Sequence, residues 1–158
     1  MKHFFPYQTS IGQLYIYEHN SHITAISFSE KPDEGKYKKQ ETPAIRQTFE
    51  QIDEYLLGKR KVFNVAIEPQ GTLFQKKVWD VLKNIPYGET RSYKQIAEAV
   101  GNSKAYRAVG MANNRNPLPI LVPCHRVIGT NGKLIGYAGG LNRKEQLLTL
   151  EKKHKNFD

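Results

Sequence analysis

Three prolines fall within residues 116–123, and this segment constrains the fold of the chain more than any other. Proline has no amide N–H, and its ring disfavours the helical conformation in the residue before it, so the segment cannot be an ordinary helix. The other residues are mostly aliphatic. We therefore expect a buried, strand-like approach that ends at Pro123, in the first position of a new helical turn.

The only cysteine, Cys124, follows this segment directly. A lone thiol is by default a small buried hydrophobe. The start of a helical turn would favour the thiolate, which is the nucleophilic form. His125 is adjacent, but neighbouring side chains diverge, so a bridging water would have to connect the two. Glu151 is a candidate to orient the imidazole, whereas a histidine followed by Arg126 is also typical of a surface polar pair.

The net charge of +9 is distributed unevenly along the sequence. Residues 1–70 contain equal numbers of basic and acidic side chains, so the whole excess belongs to residues 71–158. Such asymmetry is typical of a surface that binds a polyanion such as DNA, although basic surfaces also serve solubility. The turn-forming residues 68–71 would form a linker, which predicts two domains, 1–70 and 71–158.

Several classes of protein are disfavoured by the sequence. It lacks a signal peptide and any apolar run of membrane-spanning length, which predicts a soluble, cytoplasmic protein with no membrane partner. The histidines and the cysteine lack the tight spacing of a metal site, so we expect no metal. The glycine-rich segment 131–140 is either a loop that approaches a ligand closely or a plain surface loop. It has neither a Walker nor a GxGxxG pattern, which disfavours a nucleotide cofactor.

The first half reads as an α/β scaffold. Residues 14–17 and 23–28 alternate as strands of a hairpin. Thr42 and Pro43 are the N-cap and first residue of a helix that ends at Gly58 and lies on the sheet. Residues 62–67 are expected to return as a further strand.

The second half reads as a series of helices. Thr72 and Gln75 form a capping-box pattern before a helix with apolar positions at 74, 78, 81, 82 and 85. A second helix follows from Tyr93 to Gly101, and Asn102 or Ser103 would cap a third. In the third helix, positions 105, 108, 109 and 112 form the expected buried face, and Lys104, Arg107 and Met111 form a separate stripe. The pair resembles a helix-turn-helix, or else an ordinary helical hairpin with a solvated basic face, and the pattern leaves the DNA groove open.

Three segments taken together resemble the O6-alkylguanine-DNA alkyltransferases, the methylated-DNA–protein-cysteine methyltransferase family. They are Arg107-Ala108-Val109-Gly110, residues 116–127, and residues 136–141 with the sequence Gly-Tyr-Ala-Gly-Gly-Leu. The resemblance covers residues 72–152 closely, and residues 1–70 only in size and element order. It implies an α+β two-domain fold: an N-terminal ribonuclease-H-like α/β domain, and a C-terminal, mainly helical domain with a winged helix-turn-helix that binds DNA.

The resemblance also implies a reaction, direct-reversal DNA repair. The damaged guanine is flipped out of the duplex, and its O6-alkyl group passes to Cys124 in one irreversible SN2 displacement. The implied partner is double-stranded DNA containing O6-alkylguanine, bound through the minor groove by a monomer. Activity on O4-alkylthymine stays open. Cooperative binding along DNA stays open. No cofactor is needed because the lesion is the donor, and no zinc is expected, since the zinc-binding cysteines of some members are absent.

Residue roles carry over from the family by position. Cys124 is the acceptor, His125 the water-mediated base, Glu151 its orienter, and Tyr93 assists the leaving guanine. Among the residues that bind DNA or substrate, Arg107 fills the space left by the flipped base, and Ser103 and Lys104 also belong to this group. Asn116 braces the cysteine turn, and the Val127 carbonyl accepts a hydrogen bond from the guanine amino group. Tyr137 and Ala138 form the wall of the pocket. Ala138 stands where several members have serine, so that side-chain hydrogen bond is lost.

Two other functions compete with this interpretation. One is a DNA-binding protein without chemistry, either a sensor of alkyl lesions or a regulator; Cys124 argues against the sensor, because sensors of this kind replace the cysteine. The other is a cysteine hydrolase, which would have no need of a basic helix-turn-helix.

Overall fold

The chain divides after Gln70 into two units, each with its own helices and strands, which makes it an α+β protein of two domains. The structure is a computed structural model, and it describes residues 1–29, 31–137 and 139–156. The two units are described in turn.

The first unit is built on a four-stranded sheet in the order β3-β2-β1-β4. Its strands are β1 (Lys2–Thr9), β2 (Gly12–His19), β3 (His22–Ser27) and β4 (Lys38–Lys39). The predicted hairpin is confirmed as β2 and β3, which pair antiparallel. Its turn is shorter than expected, because Asn20 and Ser21 both adopt positive φ and close the hairpin in two residues.

Helix α1 (Pro43–Leu56) covers this sheet, as the sequence predicts. The Thr42 side chain accepts the Ile45 amide at the N-terminus. At the C-terminus Gly58 adopts a φ of 76°, and the helix ends there. Ile45, Ile52 and Tyr55 are buried against the sheet, and together with the inner sides of β1–β3 they form the core of this unit.

The strand expected at residues 62–67 is wrong. Only an isolated bridge between Ile67 and Ile23 forms there. The Gln51 side chain instead forms hydrogen bonds with both backbone groups of Asn64. Its oxygen accepts the N–H at 2.8 Å, and its nitrogen donates to the C=O at 3.2 Å. These hydrogen bonds take the place of a strand ladder.

The second unit is mainly helical. It contains α2 (Leu73–Leu82), α3 (Tyr93–Ala99), α4 (Tyr106–Asn114) and α5 (Leu141–His154), with two short strands, β5 (Arg91–Ser92) and β6 (Val127–Ile128). The capping box of Thr72 and Gln75 is confirmed. The buried face of α2 differs from the expectation, because Phe74 is exposed and Trp79 is buried, with its indole N–H donating to the Ala112 carbonyl of α4 at 2.9 Å.

Helices α3 and α4 are joined by a tight turn. Gly101 ends α3 with a φ of 90°, and the Asn102 side chain accepts the Lys104 amide. The expectation that Asn102 or Ser103 caps α4 is wrong: Ala105 is the N-cap residue and makes no side-chain cap. Ala108 is exposed and not buried, because the helix turns Val109 and Ala112 inward.

None of the helices in the described part of the chain is long and apolar enough to cross a membrane.

Candidate active site

The proline-rich segment forms a tight buried turn and not the strand-like approach that we expected. The Val122 N–H donates to the Leu118 carbonyl at 2.9 Å, and Ile120 adopts a φ of 75°, which is strained for a β-branched residue. The Asn116 side chain holds the turn from inside, since its amide nitrogen donates to the Val122 carbonyl and its oxygen accepts the Leu118 amide. This fixes the backbone that enters Cys124.

Cys124 lies at the start of a single 3-10 turn, Cys124–Arg126, and is only 2% exposed. Burial raises the pKa of its thiol to about 11, although the Asn116 side chain, the Lys144 charge and two backbone amides oppose the rise. The expectation that a helix terminus favours the thiolate is therefore wrong here, because a three-residue turn carries little dipole and desolvation dominates. The thiol is protonated at rest and needs a base.

His125 follows Cys124 in the sequence and is fully buried. Its Nε2 lies 2.6 Å from the Glu151 carboxylate of α5. Burial lowers the pKa of His125, against the raising effect of Glu151. For Glu151, hydrogen bonds and charges from His125 and Arg126 outweigh burial and lower its pKa to about 2. A neutral imidazole that donates Nε2–H to an ionised carboxylate has Nδ1 as its basic nitrogen.

Arg126 is a site residue that the sequence argument missed. It is buried, and it grips Glu151 through two hydrogen bonds, Nε to Oε1 at 2.8 Å and Nη2 to Oε2 at 2.9 Å. Its remaining nitrogen donates to the Ile85 carbonyl at 2.7 Å. The alternative of a surface His–Arg pair is therefore wrong. The signal available was its position next to His125, because consecutive residues of one turn can reach the same helix.

Tyr93 is brought to the site by the pairing of β5 with β6. Ser92 pairs with Ile128, and its side chain caps α3, so that Tyr93 begins the helix next to the cysteine turn. The Tyr93 hydroxyl donates to the Ile135 carbonyl at 2.8 Å. Burial and the Cys124 charge raise the pKa of Tyr93, whereas a hydrogen bond with Asn113 lowers it.

Lys144 is a second residue that the sequence argument missed. It is fully buried on α5, and its ammonium donates to the carbonyls of Val127 at 2.6 Å and Ile135 at 2.9 Å. Burial lowers the pKa of Lys144 to about 8, against the effect of Cys124. The carbonyl of Val127 thus already accepts a charged donor. Helical spacing gave a signal, since Lys144 lies two turns before Glu151 on the same face.

Asn113 is the third residue missed. It lies on α4, buried against the cysteine turn, and its amide nitrogen donates to the Cys124 carbonyl at 3.3 Å. Nothing in the sequence distinguishes it from the neighbouring exposed Asn114 except the register of the helix.

Tyr137 lies in the glycine-rich loop, close enough to Cys124 to be affected by its charge. It follows Gly136, whose φ is 54°, and it is buried. Burial raises the pKa of its hydroxyl well above the ordinary value, with the Cys124 charge acting in the same direction. The neighbouring Ala138 lies outside the described residues.

Ser103, Lys104 and Arg107 are placed apart from this buried cluster. All three are exposed, at the turn before α4 and on its first turn. The Arg107 guanidinium lies 5.9 Å from the centre of the Tyr106 ring. The structure thus separates a buried polar cluster around Cys124 from the exposed side chains of Ser103, Lys104 and Arg107.

Within the residues that the structure describes, no three His, Cys, Asp or Glu side chains form a group suited to a metal ion.

Comparison with known proteins agrees with this arrangement. The family model for the 6-O-methylguanine DNA methyltransferase DNA-binding domain matches residues 73–153, and the model for the ribonuclease-like domain of the same family matches residues 4–69. The chain belongs to this family.

Individual relatives extend over most of the chain. A methylated-DNA–protein-cysteine methyltransferase of Methanosarcina acetivorans is 61% identical over 68% of this chain and 69% of its own length. The constitutive methylated-DNA–protein-cysteine methyltransferase of Bacillus subtilis is 45% identical over 96% of each chain. The crystal structure of Mycobacterium tuberculosis OGT in complex with DNA is 43% identical, covers 96% of this chain and 94% of that one, and has a TM-score of 0.90.

Proposed function

We propose that this protein is a direct-reversal DNA-repair enzyme in which Cys124 takes the alkyl group from O6-alkylguanine and is consumed. The observation that carries the proposal is the buried set of Cys124, His125 and Glu151, in a chain whose sole cysteine lies within the family's DNA-binding domain. The names of the relatives, which are methylated-DNA–protein-cysteine methyltransferases, support the same reaction.

The chemistry begins with the thiol proton. Nδ1 of neutral His125 accepts it through a water, and Glu151 holds the resulting imidazolium. The sulfur then attacks the alkyl carbon, so that an S–C bond forms, the C–O6 bond breaks, and its electron pair stays on the guanine. Tyr93 assists the leaving guanine with its hydroxyl, after leaving the Ile135 carbonyl. The thioether product is a poor leaving group, so each molecule reacts once.

The lesion reaches Cys124 by base flipping, since the alkyl carbon otherwise lies within the helical stack. The pair α3 and α4 acts as a helix-turn-helix in the minor groove. Arg107 fills the space left by the base, and Ser103 and Lys104 contact the DNA backbone. The exposed Ala108 supports this role, because a small side chain next to Arg107 lets the helix backbone approach DNA closely.

The finer features of the fold follow the same proposal. The second unit is a winged helix-turn-helix domain, and the first is a ribonuclease-H-like scaffold; the sheet covered by α1 supports the latter. The Val127 carbonyl, Tyr137 and the backbone at Ala138 enclose the flipped base, and Asn116 keeps the cysteine turn in place. A protein with this substrate acts where the chromosome lies, which in a prokaryotic cell is the cytoplasm.

The proposal is tested by mixing the protein with a duplex that contains O6-methylguanine, followed by digestion and mass spectrometry. We expect one methyl group per molecule, on the Cys124 peptide, and restored guanine in the DNA. Cys124→Ala should bind the duplex and leave the lesion intact.

Other outcomes would select a rival function. Tight binding to the lesion with an unmodified thiol in the wild-type protein would identify a lesion sensor. More than one methyl group removed per molecule would exclude a single-use acceptor.

A further inference from the structure

The side chain of Asn113 has one end satisfied and one end unsatisfied. It is 1% exposed, and its amide nitrogen donates to the Cys124 carbonyl. Its oxygen, Oδ1, is buried, and no hydrogen-bond donor among the described residues reaches it. A buried acceptor without a donor is destabilising, so such a group is expected to have a partner in the working state.

This oxygen belongs to the reaction centre. The nitrogen of the same planar amide donates to the nucleophile's own carbonyl, and the Asn113 side chain is close enough to the Tyr93 hydroxyl to lower its pKa. The position is fixed by the packing of α4, because the adjacent Ala112 carbonyl accepts the indole N–H of Trp79. The amide oxygen therefore lies beside the nucleophile and the proposed proton donor.

The substrate offers few partners for an acceptor. The alkylated guanine carries its alkyl group on O6, and alkylation leaves N1 without a proton. The 2-amino group is then the hydrogen-bond donor on the base edge, whereas the remaining edge atoms are acceptors.

The carbonyls near the cysteine already have donors. The Val127 carbonyl accepts a hydrogen bond from the Lys144 ammonium at 2.6 Å. The Cys124 carbonyl accepts one from the amide nitrogen of Asn113 itself. A carbonyl oxygen can accept a second hydrogen bond, but Asn113 Oδ1 has no first one.

We propose that Asn113 is a specificity-determining residue whose side-chain oxygen accepts a hydrogen bond from the 2-amino group of the flipped O6-alkylguanine. The inference rests on the proposed function, because it concerns the same pocket and lesion. In this proposal the 2-amino group has two acceptors, the Asn113 side chain and the backbone carbonyl of Val127. The preference for guanine then depends in part on a side chain, which mutation can change.

The test compares two duplexes that differ in one group, O6-methylguanine and O6-methylhypoxanthine, which lacks the 2-amino group. Single-turnover rates of Cys124 methylation are measured with each. The wild-type protein should react faster with O6-methylguanine. Asn113→Leu should reduce the ratio of the two rates about tenfold, because it removes the acceptor and leaves the rest of the base contacts in place.

Three further variants make the ratio decisive. Asn113→Asp keeps an acceptor oxygen and should keep the ratio, whatever its effect on both rates. Asn113→Ala carries the same expectation as leucine without added bulk, in case leucine disturbs folding. Asn84→Leu makes the same chemical change at an exposed position after α2 and should leave both rates unchanged.

The outcomes separate the two proposals. Equal slowing on both duplexes in Asn113→Leu and Asn113→Ala, with the ratio preserved, would overturn the assignment and leave the amino group to backbone carbonyls. A wild-type protein that methylates Cys124 with neither duplex would instead overturn the proposed function.

Discussion

Arg126 determines how the buried charges around Cys124 balance. With two of its nitrogens on the Glu151 carboxylate, it acts together with His125 to lower the pKa of that group against the effect of burial. The ionised carboxylate in turn fixes the orientation of His125. The base of the proposed reaction therefore depends on a side chain that lies outside the transfer itself.

This balance predicts how stability depends on pH. The pKa of Glu151 falls from 4.5 to about 2 on folding, which by linkage is worth roughly 3 kcal/mol. The folded pKa is depressed, so this stability is present above about pH 4.5 and is lost as the pH falls toward 2. Urea unfolding followed by circular dichroism should show Glu151→Gln less stable than wild type at pH 7, with the difference shrinking below pH 4.5.

The exposed Glu145 provides the control on the same helix. Glu145→Gln should change unfolding little at any pH. An ordinary carboxylate titrates between about pH 7 and pH 3. A difference in the free energy of unfolding between Glu151→Gln and wild type that stays constant over this range would contradict the role assigned to the carboxylate.

At the scale of residues, the sequence indicated some members of the buried cluster around Cys124 and missed others. Cys124, His125 and Glu151 were candidates on the residues alone, and the resemblance assigned their roles by position. Arg126, Lys144 and Asn113 were not, because a charged or amide side chain is usually exposed, and only the packing of α5 and α4 against the cysteine turn buries them. The thiol pKa was misjudged for the same reason: desolvation depends on neighbours that are distant in sequence.

At the scale of elements, the turn before α4 and the first turn of that helix carry the exposed basic surface. Each lysine that neutralises a phosphate releases about one counterion and so makes DNA binding more dependent on salt. Lys104→Ala should therefore weaken binding to duplex DNA and reduce the slope of log affinity against log salt by about 0.9. Fluorescence anisotropy across a salt series measures both quantities.

The exposed Lys77 on α2 supplies a matched control outside the helix-turn-helix. Lys77→Ala should keep the wild-type slope, and Lys104→Ala should keep the wild-type rate of transfer from free O6-methylguanine base. An unchanged slope in Lys104→Ala would remove this residue from the DNA-binding surface.

Most elements were predictable from local signals. The caps at Thr42 and Thr72 mark helix starts through side-chain hydrogen bonds that depend on nearby residues alone. The strand expected at residues 62–67 does not form, and Gln51 on α1 occupies both backbone groups of Asn64 in the middle of that segment. The strand-like approach at residues 116–123 failed because proline excludes a helix without choosing between a strand and a turn.

At the scale of the whole molecule, the chemistry and the charge belong to the same half of the chain. Residues from Gly71 onward hold Cys124 and the entire net charge of +9. A polyanion is thereby attracted to the unit that can react with it. This division follows from the amino-acid sequence, whereas the burial of the cysteine does not.

A used molecule should be less stable than a fresh one. Cys124 is 2% exposed in a packed interior, and an added methyl group there causes overpacking that costs about 1–3 kcal/mol. For a unit of this size, each kcal/mol lowers the melting temperature by roughly 4–8 °C. Calorimetry should detect this decrease after reaction with an O6-methylguanine oligonucleotide and removal of the DNA. Protein treated with unmodified oligonucleotide should melt as before, and an equal or higher melting temperature for the methylated form would contradict the packing argument.

The indole of Trp79 gives the molecule a built-in optical reporter. It is the only tryptophan in the chain, and it is bonded to the backbone of α4, the helix whose other side bears Arg107. Its emission therefore comes from a single known place, one helix away from the surface proposed to meet DNA. Docking of DNA on α4 is expected to change this emission, which intrinsic fluorescence measures with no label attached to the protein.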